Sequence, residues 1–119
     1  DAGLMGVAFR EATFEPRFQK HAGEICHGVE IFVRDRWAMN ATLLGLVVVE
    51  AALRENSEQF QWRTETYEFV DEPIAIDLLC GSAEARLGLE SRIRARELIE
   101  AWSGEVDAFK ELRAEQLLY

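Results

Sequence analysis

Cysteine, histidine and proline are scarce in this chain, two of each in 119 residues. Two cysteines, Cys26 and Cys80, do not make a disulfide scaffold, and free cysteine is commonly buried, so both are expected reduced and packed. Two histidines, His21 and His27, leave a zinc site short of ligands. Together with Cys26 and Glu24 they match no tight four-ligand spacing, so no metal is implied. In an extended chain, adjacent Cys26 and His27 would point to opposite faces. A Cys26 nucleophile with either histidine as its base would need an orienting group and an oxyanion site, and nothing in the sequence marks them. No cofactor is implied either.

Long apolar runs are also missing. The longest, Leu43 to Val49, has seven residues, far below the roughly 20 that cross a bilayer, and nothing reads as a signal peptide. No membrane association is expected. Basic excess is absent as well. A formal net charge of −9 argues against nucleic acid as a partner, because a phosphate backbone selects cationic surfaces. The acidity is uneven. Residues 1–36 hold five Lys/Arg against six Asp/Glu, a net of −1, so residues 37–119 carry the other −8. An anionic ligand would meet least repulsion in the N-terminal third. Internal repeats and low-complexity segments are absent too.

What is present is the composition of a globular chain, 49% hydrophobic and 29% charged, with a length that suits one domain over 1–119. Alternation at Met5, Val7 and Phe9 predicts a strand over 4–13, ended by Glu15-Pro16 because proline cannot donate to a ladder. An irregular segment, 16–28, contains Gly23 and Gly28. Val29, Ile31 and Val33 then predict a half-buried strand. Asn40 is a reasonable N-cap for a helix through Leu43–Leu53, apolar on more than one face and so expected to be buried on several sides, with Glu50 and Arg54 paired at i, i+4. The segment 60–73, "FQWRTETYEFVDEP", alternates and reads as a possible third strand. Pro73 suits a first helical position, and the helix "IAIDLLC" should stop at Gly81. Its lone Asp77 is expected to look outward or to cap something nearby. Ser82 restarts a helix. Leu98, Ile99, Trp102, Val106, Phe109 and Leu112 mark a last helix, with a kink or break at Ser103-Gly104. The fold class is α+β: a small sheet of two to three strands near the N-terminus, packed against several helices. The chain begins at Asp1 without Met and ends on Leu-Leu-Tyr, and is expected to be part of a longer protein.

Chemistry concentrates in Phe14–Asp35, "FEPRFQKHAGEICHGVEIFVRD". Arg17 and Lys20 sit on a glycine-containing loop beside Phe14 and Phe18. There they can meet a carboxylate while an aromatic ring stacks on a sugar, or the aromatics can anchor the loop in the core and leave the cations solvated. Glu11, Glu15, Glu24 and Glu30 are carboxylates of the type that acid–base work on a sugar requires, but that work needs two at a set separation with one pKa raised. Glu24, next to Gly23, is the one to watch.

The segments "PRFQKHAGEICHGVEIFVRD", "AALREN", "YEFVDEPIAIDLLCGS" and "AWSGEVDAFKELRAEQLLY" together resemble the C-terminal region of the exo-β-N-acetylmuramidase (NamZ-type) family, formerly a domain of unknown function, from about Val7 to Tyr119. The specific motif is F-x-P-x-F-x-K-x-A-G-E-x-C-x-G-V, Phe14 to Val29. The resemblance implies a bacterial glycoside hydrolase of peptidoglycan, serving cell-wall recycling, that releases N-acetylmuramic acid from the non-reducing ends of muropeptide fragments. It further implies an N-terminal Rossmann-like catalytic domain outside this chain as partner, a muropeptide or sugar ligand, and a periplasmic or secreted parent. This fragment alone is then expected to be inactive. The candidate substrate-binding residues are Lys20 and Glu24, followed by Arg17 and His21, with the cations suited to the lactyl carboxylate of the sugar. The alternative is a non-catalytic structural or interaction module that only docks a neighbouring domain.

Overall fold

The computed structural model describes residues 4–118; positions 1–3 and Tyr119 of the closing Leu-Leu-Tyr lie outside the described residues. The architecture is α+β: among the described residues, two strands are followed by five helices. They fall into two compact units, the first ending at Ala41 and the second starting at Thr42.

The first unit is a β-hairpin. Strands β1 (Val7–Phe14) and β2 (Cys26–Val33) pair antiparallel, in register from Val7 opposite Val33 to Phe14 opposite Cys26. Strand β1 starts at Val7 rather than at residue 4 because Gly6 turns the chain. Its φ is +72°, and its carbonyl accepts the N–H groups of Arg34 at 2.8 Å and Asp35 at 3.1 Å, closing the open end of the ladder. A Cβ at Gly6 would run into the Asp35 carbonyl, so only glycine fits. The Asp35 carboxylate then accepts from the amides of Trp37 at 2.9 Å and Ala38 at 3.2 Å, an Asx turn that ends β2. Gly28 is not part of the irregular segment but a strand residue. It faces Ala12, and a Cβ there would lie 3.3 Å from Phe14 Cε1. The half-buried pattern expected of β2 is not found: Val29, Ile31 and Val33 are all exposed, as are Phe9 and Phe32. Their β-branched and aromatic side chains still favour the extended backbone.

The second unit is helical. Helix α1 (Ala41–Glu55) begins directly after Asn40. It is buried on one side rather than several: Leu46 is buried and Leu43, Val47, Val49 and Leu53 pack around it, whereas Val48, Ala51 and Ala52 are exposed. The Glu50–Arg54 pair forms at 2.9 Å. Among the described residues no third strand follows. Tyr67 and Val70 make a single bridge around Glu68 and Phe69, which both have positive φ, so the segment is a tight turn too short to extend a ladder.

Helix α2 (Ala75–Cys80) stops at Gly81, whose φ of +79° makes it a left-handed C-cap. Pro73 precedes the N-cap residue Ile74 rather than opening the helix. Helix α3 (Glu84–Glu90) follows, with the Ser82 hydroxyl accepting the Glu84 amide at 3.3 Å. Helices α4 (Ala95–Ala101) and α5 (Ser103–Ala114) divide at Trp102, beside Ser103-Gly104. The core is Leu46, Ala85, Leu89, Ala95 and Leu98. The apolar row of the last segment runs on into α5, yet Val106, Phe109 and Leu112 are exposed.

Asp77 contradicts the expectation that it looks outward. It is only 6% exposed and faces Arg86, which donates from Nε to Oδ1 at 2.9 Å and from Nη2 to Oδ2 at 2.8 Å. A buried carboxylate requires such a partner. No motif spacing in the sequence pairs Asp77 with Arg86.

Candidate functional site

The loop 15–25 joins the two strands. Most hairpin loops need only about two to five residues, so a connection of this length has to be organised by itself. The Gly23 amide donates to the Pro16 carbonyl at 2.9 Å, and the Glu24 amide to the His21 carbonyl at 3.0 Å. Three residues take positive φ: Gln19 at 66°, His21 at 59° and Gly23 at 79°. Glycine does so freely, but a left-handed non-glycine residue costs on the order of 1–3 kcal/mol, and such strain gathers at functional sites. Pro16 and Gly23 thus shape the loop, whereas Gly28 lies within β2.

Every side chain from Arg17 to Ile25 is exposed. Phe18 is 75% exposed and Phe14 also faces outward, so the aromatics do not anchor the loop in a core. Of the four candidate residues the structure joins two. His21 Nδ1 lies 3.1 Å from Glu24 Oε2, with both side chains well exposed. Arg17 and Lys20 are exposed cations without an ion pair among the described residues. The loop therefore presents two free positive charges, a histidine–carboxylate pair and an exposed aromatic ring. Such a set can bind a carboxylate, accept or donate hydrogen bonds to hydroxyl and amide groups, and stack on a sugar face.

The other special residues are engaged differently. The Cys26 thiol contacts the Glu24 carbonyl at 3.8 Å, and His27 Nδ1 lies 3.2 Å from the Thr13 hydroxyl. Neither histidine is bonded to the thiol. Cys26 is half-buried and Cys80 exposed, so the expectation of two packed cysteines fails at Cys80. Its thiol is nevertheless pushed above the ordinary value, first by desolvation and then by the negative charge of Asp77. The Arg86 guanidinium is held more firmly protonated, chiefly by its hydrogen bonds to Asp77. Among the described residues no three His, Cys, Asp or Glu side chains are grouped as a metal would need, and no helix is long and apolar enough to cross a membrane.

Sequence reasoning missed Arg10. It donates to Glu30 at 2.5 Å across the strands, and its guanidinium carbon lies 5.3 Å from the centre of the Phe32 ring. Arg10 and Glu30 border an open groove of about 580 Å³ with Glu11, Thr13, Phe14 and Val29. The strand period offered the signal, since opposite charges facing each other across a ladder attract. Glu30 is thereby engaged as an ion-pair partner.

Comparison with known proteins gives two matches. The family described as exo-β-N-acetylmuramidase NamZ, C-terminal, matches residues 1–119. The peptidoglycan β-N-acetylmuramidase NamZ of Bacillus subtilis (strain 168) is 31% identical over 116 residues, which cover 98% of this chain and 26% of that protein. The chain thus spans about a quarter of the relative's length. No solved structure matches.

Proposed function

The chain belongs to the NamZ C-terminal family of exo-β-N-acetylmuramidases, and from that premise we propose that its two units form the substrate-lining C-terminal domain of a bacterial peptidoglycan hydrolase. The catalytic carboxylates then reside in an N-terminal Rossmann-like domain of the same protein. The reaction is release of N-acetylmuramic acid from the non-reducing end of a muropeptide fragment. The loop 15–25 faces the cleft. Lys20, with Arg17, meets the lactyl carboxylate through a charge-assisted contact. His21 and Glu24 hold each other in place and offer polar atoms to the sugar's hydroxyl and acetamido groups, while Phe18 supplies an apolar face.

The observation that carries this reading is the loop itself: left-handed at Gln19 and His21, exposed from Arg17 to Ile25, and displaying two cations without an ion pair among the described residues on a chain of net charge −9. Left-handed non-glycine residues cluster at ligand-binding segments, which supports the reading. The apolar residues left bare on the hairpin give the partner domain its seat. They also favour a second reading, in which the domain only docks its neighbour.

Kinetics of the full-length protein separate the two. Lys20→Ala should raise KM for a muropeptide several-fold, since an exposed charge contact contributes about 1 kcal/mol. Unchanged KM and kcat would remove Lys20 from the site and favour docking alone.

A further inference from the structure

The end of helix α3 contains a substitution against type. Ser91 is its C-cap, and the next two amides close a Schellman turn: Arg92 N–H donates to the Leu89 carbonyl at 3.0 Å and Ile93 N–H to the Gly88 carbonyl at 2.9 Å. The residue after the cap in such a turn must be left-handed, and glycine usually fills it. Here it is Arg92, with φ at +65°. The chain places glycine at the corresponding position after α2, where Gly81 has φ +79°. Glycine would be less strained there, which draws attention to what the Arg92 side chain reaches.

That side chain borders a concavity. Leu53, Arg54 and Ser57 from the end of α1 and its following turn, with Leu89, Glu90 and Arg92, line a pocket of about 410 Å³. This lies within the range of small-molecule sites, roughly 300–1,000 Å³. The chemistry of the lining is divided. Leu89 is buried and Leu53 half-buried, forming an apolar floor. The rim carries two guanidiniums and a hydroxyl. The Glu90 carboxylate is already engaged, accepting from the Trp62 indole at 2.8 Å and facing Arg86 Nη1 at 3.5 Å. Arg54 shares Glu50 with Arg94, so its charge is partly compensated. Arg92 forms no ion pair among the described residues. The surplus charge at this rim is therefore positive, in the half of the chain that is otherwise most acidic.

We propose that this pocket binds a small ligand bearing a carboxylate on a short apolar body. Arg92 and Arg54 take the carboxylate, the Ser57 hydroxyl adds a donor, and Leu53 and Leu89 receive the apolar part. The guanidinium fork matches a carboxylate's two oxygens. The site shares no residue with loop 15–25 and stands whether or not that loop lines a sugar cleft.

The test is calorimetric titration of the full-length protein with N-acetylalanine, with its uncharged amide, and with N-acetyl-Ala-Ala-Ala. Saturable binding of the acids, at least about tenfold tighter than the amide, is expected, since one charge-assisted contact is at stake. A tripeptide preferred over the single residue identifies a peptide terminus as the natural source; equal affinity identifies a free acid. Arg92→Gly should abolish the preference for the acid while leaving the melting temperature equal or higher, because glycine suits the left-handed position. Equal binding of acid and amide, no saturable binding of either acid, or full acid affinity retained in Arg92→Gly would each overturn the proposal.

Discussion

Glu50 offers the sharpest energetic test of the helical unit. Its carboxylate, on α1, caps the start of α4 from outside that helix. Oε2 accepts the Ala95 amide at 3.0 Å, while Oε1 faces Arg54 at 2.9 Å and Arg94 at 3.5 Å. The Glu50 side chain is 12% exposed and Ala95 is fully buried. Glu50→Ala leaves the Ala95 N–H without a partner and out of reach of water, which costs on the order of 1–3 kcal/mol. The ion pairs add little. Arg94 is mostly exposed and Arg54 partly so, and such pairs contribute about 0.3–0.5 kcal/mol each. The sum is about 2–4 kcal/mol. Glu50→Gln keeps an acceptor for the amide and loses only the charge, so its cost should be below about 1 kcal/mol. Urea unfolding of the two variants decides it, with the midpoint shifting and the slope unchanged. Equal destabilisation by Ala and Gln would refute the reasoning, because it would place the energy in the ion pairs rather than in the cap.

Two further expectations concern the same unit. At Gly88 an added Cβ would lie 2.6 Å from Leu98 Cδ2, so Gly88→Ala should force Leu98 out of its place in the core and cost about 1–3 kcal/mol, read from the same urea titration. Folding raises the Cys80 thiol, through desolvation first and Asp77 second. The folded state therefore holds the proton more tightly, and stability should fall as pH rises past the ordinary thiol value. Asp77→Asn should move the midpoint of Cys80 alkylation by iodoacetamide to lower pH, and an unmoved midpoint would dismiss the Asp77 contribution.

The legible part of the fold was local. Val7, Phe9 and the run from Val29 to Val33 fixed both strands to within three residues, and Gly81 and Ser103-Gly104 marked real helix ends, because turn and cap chemistry is carried by neighbours in sequence. Burial was less legible. The alternation in β2 and the periodic row through Val106, Phe109 and Leu112 name a face without naming what covers it, and in this chain those faces are bare. Asp77 was misread for a related reason: its partner Arg86 lies on the next helix, and no spacing rule pairs residues across a turn whose angle is unknown. The third strand failed because positive φ at Glu68 and Phe69 consumed the segment in a turn. In the candidate site, residue types were readable and their pairing was not. Lys20, Arg17, His21 and Glu24 were marked together, yet only His21 and Glu24 meet.

The most direct measurement is amide hydrogen exchange across residues 15–25 of the full-length protein, with and without N-acetylmuramic acid. Slower exchange confined to this segment on adding the sugar is predicted; an identical exchange profile in both conditions would contradict the account.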